Sequence, residues 1–170
     1  MATMGRRRGG AAKISVMASA LFGTISGAAV SNVVVTGVVT IPLMRDSGYK
    51  ATHAGAIEAI ASTGGQMMPP IMGAAAFLMA ETLEIPYAEI VIAALVPSIL
   101  YYFAAYIQVD LIAAKDNISA VNQDIPRLKQ VLREGWYFIP PFVVLVYMLF
   151  WANQPAAVAG IWASAVLIVS

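Results

Sequence analysis

The chain has 170 residues, 60% of them hydrophobic and only 11% charged, with a mean hydropathy of +0.78 and a formal net charge of +1. That balance excludes an ordinary soluble domain and a nucleic-acid partner and places the chain among polytopic membrane proteins of the lipid bilayer, with an all-α fold expected from the helical segments that follow. With no cysteine and a single histidine, His53, thiol catalysis, disulfides and Cys- or His-pair metal sites are excluded, so no transition metal is expected.

Residues 1–13 form a basic, Gly/Ala-rich N-terminus, expected in the cytoplasm, that carries Arg6, Arg7, Arg8 and Lys13. The apolar sequence after it is cut by polar residues and glycines and runs into more membrane-like sequence, which argues against a secretory signal. Residues 14–44 fit either one tilted span across about 30 Å of hydrocarbon or a re-entrant hairpin of two half-helices. Charge separates the two. A hairpin followed by two ordinary crossings places all 10 Lys and Arg residues on the cytoplasmic side, whereas a full crossing splits them, four (6, 7, 8, 13) against six (45, 50, 115, 127, 129, 133). A re-entrant hairpin is therefore expected, with Ser26-Gly27 and Ser31-Asn32 at its tip.

Arg45 to Lys50 reads as a turn, and Thr52 as the N-cap of the next helix. As one unbroken helix, residues 51–83 would be about 50 Å long, too long for a single span. The sequence Ser62-Thr63-Gly64-Gly65-Gln66-Met67-Met68-Pro69-Pro70 resolves this. Gly64-Gly65 weakens the helix, and Pro69-Pro70 removes two backbone donors and holds the preceding residue extended. A broken transmembrane helix over 51–83 follows. Glu81, Glu84 and Glu89 flank Pro86-Tyr87 in a loop without Lys or Arg, which suits the outer face. Residues 90–114 read as a transmembrane helix kinked at Pro97, and 115–136 as a cytoplasmic loop with a short amphipathic helix. Residues 137–153 read as a further transmembrane helix. Residues 156–170 begin another, inside which the sequence stops, so the chain is expected to be a piece of a longer permease.

Unwound backbone at membrane depth is tolerated only where it is buried in protein or lines a wet cavity, so two breaks close in sequence suggest a solute or ion site. The first break offers Ser26, Gly27, Ser31 and Asn32, and the second Ser62, Thr63, Gly64, Gly65 and Pro69. Hydroxyls, an amide and freed carbonyls at helix ends are hard oxygen ligands suited to sodium. The alternative is that the small residues serve only helix packing, in a membrane structural or assembly protein. Glu58, inside the first half of the broken helix, is a candidate proton or cation relay, or else a carboxylate near headgroups or a wet cavity. His53 reads as a surface residue, and Met67, Met68, Met72 and Met79 as packing. No Ser-His-Asp set, carboxylate pair or phosphate loop is present, so no enzyme is expected.

Gly23-Thr24-Ile25-Ser26-Gly27, Thr36-Gly37, Ile41-Pro42-Leu43-Met44 with Gly48-Tyr49, and the run from Ala61 to Gly73 resemble the large membrane subunit of tripartite ATP-independent periplasmic (TRAP) transporters. The run from Gly64 to Phe77 most resembles the fused 4TM/12TM version, in which the small and large membrane subunits are one polypeptide. The resemblance is strong from about Arg8 to Asn117 and weak beyond. It implies one repeat of an inverted-repeat, elevator-type fold in the bacterial inner (cytoplasmic) membrane. It also implies a sodium-coupled importer of a small organic acid or similar solute, with no other cofactor, supplied by a periplasmic solute-binding protein. By position, Ser26, Gly27, Ser31 and Asn32 belong to the first hairpin tip, and Ser62, Thr63, Gly64, Gly65 and Pro69 to the break facing it. Ala28 stands where the family often has a small polar residue, which removes one hydroxyl. The second hairpin and second broken helix are absent from this sequence, so the remainder of the permease is an implied partner. A related anion:sodium symporter without a binding protein is the other alternative.

Overall fold

The computed structural model describes residues 8–118, 139–152, 154 and 156–169. Residues 1–7, and the loop and amphipathic helix expected over 115–136 from residue 119 onward, lie outside the described residues. Every regular element described is helical: α1 (Gly10–Ser26), α2 (Ala29–Asp46), α3 (Ala51–Thr63), a 3-10 turn (Gly64–Gln66), α4 (Ala74–Leu83), α5 (Tyr87–Lys115), α6 (Ile139–Phe150) and α7 (Ala156–Val169). They fall into two compact units, one of residues 1–74 and 93–125 and one of residues 75–92 and 126–170.

The first unit holds both breaks. Helix α1 is rich in alanine, a strong helix former, and stops at Gly27, whose left-handed backbone (φ 58°) lets its N–H close back onto the Gly23 carbonyl at 3.0 Å. Ala28 is extended, and α2 begins at once, so only two residues separate the helices. Valine-rich α2 would favour strand by intrinsic preference. In apolar surroundings a helix satisfies its backbone groups within the segment, and the valines follow. Helix α3 ends where Gly64 and Gly65 tighten into the 3-10 turn, and a loop runs from there to Gly73. Small residues line the shared core of this unit (Ala11, Ala12, Ala20, Ala54, Ala61, Ala113), around Val16, Ile57 and Met44. Small side chains at helix contacts let backbones approach closely.

Three local features differ from the sequence expectation. Helix α1 begins at Gly10, so Lys13 lies within it rather than in a free N-terminus. Lys13 is 4% exposed, and its Nζ lies 2.5 Å from Asp110 Oδ1 on α5, with Arg8 on the other oxygen. An ammonium so deeply placed needs that counter-charge. Helix α3 starts at Ala51 with Lys50 as an N-cap that makes no side-chain bond, so Thr52 is a helical residue and not the cap. Helix α5 starts at Tyr87, directly after Pro86, and places Glu89 in its first turn, where the helix dipole favours an acidic group.

At 29 residues, α5 is the one helix among those described that is long and apolar enough to cross a membrane. Large apolar side chains stand exposed along α2 (Val30, Val34, Val38) and α5 (Val96, Ile99, Phe103), as expected of surfaces meeting lipid or further protein. In the second unit, α4 turns into the start of α5 through Glu84 (φ 55°), and the Phe77 and Tyr87 rings stack at 4.5 Å. Helices α6 and α7 pack on one another there, and the rings of Tyr147 and Trp151 stack at 6.3 Å.

Candidate functional site

The two breaks meet. Gly23, one turn before the end of α1, crosses Gly65 in the 3-10 turn so closely that a Cβ on Gly23 would lie 2.5 Å from Gly65 Cα. The tip residue Gly27 abuts the Met72 carbonyl, and the Ile71 N–H donates to the Thr24 carbonyl at 3.3 Å. The hairpin tip is therefore seated in the loop that follows the second break. Gly64 is wedged against the rings of Tyr101 and Tyr102, whose hydroxyls donate to the Ile60 and Ala61 carbonyls at 2.7 and 2.9 Å. These phenols cover the last carbonyls of α3 and hold the break against α5.

Asn32 is fully buried on the first turn of α2. Its Nδ2 donates to the Ser19 carbonyl at 2.8 Å and lies 3.5 Å from the Ser62 carbonyl, so one amide spans α1 and α3. Glu58 is also fully buried. Ser19 Oγ (2.8 Å), Ser62 Oγ (3.1 Å) and Thr36 Oγ1 donate to its Oε1, and Thr40 Oγ1 donates to its Oε2. The residue expected as a relay thus sits in a closed cage of hydroxyls, away from the protein surface. Ser26 Oγ is buried at the tip and has no hydrogen-bond partner among the described residues.

Of the sequence-derived site residues, Ser26, Gly27, Asn32, Ser62, Gly64 and Gly65 converge around this crossing, and Glu58 adjoins it through Ser62. Ser31 and Thr63 are exposed, and the Thr63 hydroxyl donates to the Ala59 carbonyl of its own helix at 2.7 Å. Pro69 is half-buried in the loop after the turn. Ser19, Thr36, Thr40 and the Met72 carbonyl belong to the same cluster without having been singled out as site residues. A signal for two of them was present. Asn32, Thr36 and Thr40 recur every fourth residue and so line one face of an otherwise valine-rich helix.

What this arrangement offers is a small set of neutral oxygens at the C-terminal end of a helix, with a hydroxyl unsatisfied among the described residues and a buried carboxylate nearby. Helix C-termini carry unpaired carbonyls and partial negative charge, which suits a cation. Along the whole chain, residues 1–170, the sequence matches the family model described as the tripartite ATP-independent periplasmic transporter, DctM component. The chain belongs to this family. Among curated relatives, the ectoine/5-hydroxyectoine TRAP transporter large permease protein UehC of Ruegeria pomeroyi is 33% identical over 128 residues, 74% of this chain and 27% of that protein. The C4-dicarboxylate TRAP transporter large permease protein DctM of Pseudomonas aeruginosa is 26% identical over 168 residues, 96% of this chain and 39% of that protein. An uncharacterised protein, YgiK of Salmonella typhimurium, is 36% identical over 69 residues, 41% of this chain and 16% of that protein. The chain thus spans well under half the length of each of these relatives. In this DctM-family chain the paired breaks lie within the part shared with the Pseudomonas permease.

Proposed function

We propose that this chain supplies half of the transport core of a sodium-coupled TRAP permease in the bacterial inner membrane, with the hairpin tip and the broken helix holding the coupling ion. The observation that carries the reading is the meeting of the two breaks: Gly23 against Gly65, Gly27 against Met72, and beside them the buried Ser26 hydroxyl, which has no hydrogen-bond partner among the described residues. A buried hydroxyl left without a partner at the crossing is a group that helix packing does not use and that an ion could. Ser26, Asn32, Ser62 and the carbonyls around Gly27 and Gly65 are the candidate ligands. Membership in the DctM family supports the role as a permease component rather than an enzyme.

The solute is proposed to be a small organic acid or similar molecule, delivered by a periplasmic binding protein to a site completed by the remainder of the permease. The relatives' names, one for C4-dicarboxylates and one for ectoines, fit a small polar or anionic solute.

Thermal unfolding of the purified permease in sodium versus potassium at equal ionic strength tests the reading. A ligand that binds only the folded state stabilises it by about 2.7 kcal/mol at 100 times its dissociation constant. A sodium-specific rise in midpoint is expected. Equal midpoints in the two salts would overturn the sodium assignment and favour a packing role for the glycines.

A further inference from the structure

Glu58 stands where both limbs of the hairpin and the broken helix share a single acceptor. Its donors come from three helices: Ser19 on α1, Thr36 and Thr40 on α2, and Ser62 on its own α3. Gly37 on α2 makes room for it, since a Cβ there would lie 3.3 Å from Glu58 Cγ. A carboxylate accepts at two oxygens with about four lone-pair sites and donates nothing, which matches a cage of four hydroxyl donors. Two of the caging residues reach the candidate ion ligands directly. Ser62 is itself a candidate ligand, and the Ser19 carbonyl holds Asn32 Nδ2 at 2.8 Å.

The donors also have somewhere else to turn. Thr36 Oγ1 lies 2.7 Å from the Asn32 carbonyl, and Thr40 Oγ1 lies 2.9 Å from the Thr36 carbonyl, both within α2. Without the carboxylate these hydroxyls would rotate back onto their own helix, and α2 would stay satisfied while its links through Glu58 were lost, leaving the Asn32 amide and the 3.2 Å contact between the Ser19 and Thr36 hydroxyls to join the helices. A fully satisfied buried polar network rigidifies the groups around it, and bonds to a charged acceptor are its strong members.

We propose that Glu58 is a positioning residue for the ion site: its carboxylate latches both limbs of the hairpin to the broken helix and so fixes Asn32 and Ser62 in the geometry that sets sodium affinity. The proposal rests on the sodium reading above. It assigns Glu58 no contact with the ion, and its action passes through its hydroxyl partners.

The test is a sodium titration of the thermal midpoint, with ionic strength held constant by potassium, on the purified permease and four variants. Glu58→Met keeps the side-chain length and removes the acceptor. Its sodium dissociation constant is expected to rise by roughly 10- to 100-fold, the usual cost of losing a residue that orients a metal ligand. Glu58→Gln retains an acceptor oxygen for Ser19, Thr36 and Ser62, and its amide can donate to Thr40, whose own proton then turns to the Thr36 carbonyl; sodium affinity is expected within a few-fold of wild type. Ser19→Ala removes only the α1 link with little change of volume, and is expected to weaken sodium several-fold even where Glu58→Met does not fold. Asp110→Asn loosens the far end of α1 and is expected to lower the midpoint in potassium while leaving sodium affinity unchanged.

A sodium effect in wild type that Glu58→Met or Ser19→Ala leaves unaltered overturns the latch and spares the sodium reading. So does a loss of affinity in Glu58→Gln as large as in Glu58→Met, which would make the charge, not the positioning, the active property. A wild type without any sodium effect overturns both proposals together.

Discussion

Gly23 and Gly65 meet backbone to backbone: a Cβ on the first would lie 2.5 Å from the Cα of the second, and a Cβ on the second 2.7 Å from the Cα of the first. No flexible side chain stands between them to give way. Gly23→Ala or Gly65→Ala should therefore push the hairpin off the broken helix and cost about 1–3 kcal/mol of stability in potassium, the usual penalty of overpacking. Gly55, also within a helix, has nothing within 4 Å of the added Cβ, so Gly55→Ala should stabilise by roughly 0.5–1 kcal/mol through helix propensity alone. Thermal midpoints of the three variants check the contrast, and a similar response at positions 23 and 55 would show that the close crossing is not present.

Ser26 gives a prediction in which two readouts move apart. Its hydroxyl is buried without a partner among the described residues, so removing it takes away an unsatisfied group and not a bond. Ser26→Ala should leave the midpoint in potassium unchanged or raise it by up to about 1 kcal/mol in stability. The same variant should lose part of the sodium-specific stabilisation, because the tip hydroxyl without a partner among the described residues is gone. A drop in potassium equal to the drop in sodium would make Ser26 a packing residue.

Both stops were legible in the sequence because their causes are local. Gly27 allows a left-handed backbone that ends α1, and Gly64-Gly65 followed by two prolines ends α3. The depth of Glu58 was not legible: the polar face of α2 was visible in the Asn32, Thr36 and Thr40 spacing, but nothing in the sequence said that Glu58 and the Ser19 hydroxyl of another helix would meet it. Lys13 was hidden for the same reason, with a counter-charge 97 residues away. Ser31 and Thr63 failed to join the cluster through helical phase: each neighbours a buried residue, Asn32 or Ser62, and one step along a helix turns a side chain by about 100°.

The Lys13 and Asp110 pair is asymmetric, and the asymmetry is testable. The Lys13 side chain is 6% exposed and that of Asp110 29%, while Arg8 at 52% shares the carboxylate. Removing the acid strands an ammonium in the core of the first unit, whereas removing the lysine leaves an aspartate that still has Arg8 and water. Asp110→Asn should cost about 3 kcal/mol and Lys13→Met about 1 kcal/mol, with the double variant recovering much of the difference. Chemical unfolding of the three variants gives the comparison, and equal costs for the two single variants would contradict it.

Tyr49, in the turn between α2 and α3, is 4% exposed, and its hydroxyl has no partner among the described residues. Burial, reinforced by the nearby negative charges of Asp110 and Asp116, pushes its phenol from 10.0 up to about 12. Below pH 10 the folded and unfolded chains both keep the proton, so the contribution to stability is fully present. From there to about pH 12 the unfolded chain is ionised while the folded protein is not, and stability falls by about 1.4 kcal/mol per pH unit. Tyr49→Phe removes that alkaline fall. It should also cost little at pH 7, because the lost hydroxyl made no bond, and the aromatic packing against the core is kept. Unfolding midpoints measured from pH 8 to 12 decide the matter: parallel curves for the two proteins would mean that the Tyr49 hydroxyl is solvated rather than enclosed.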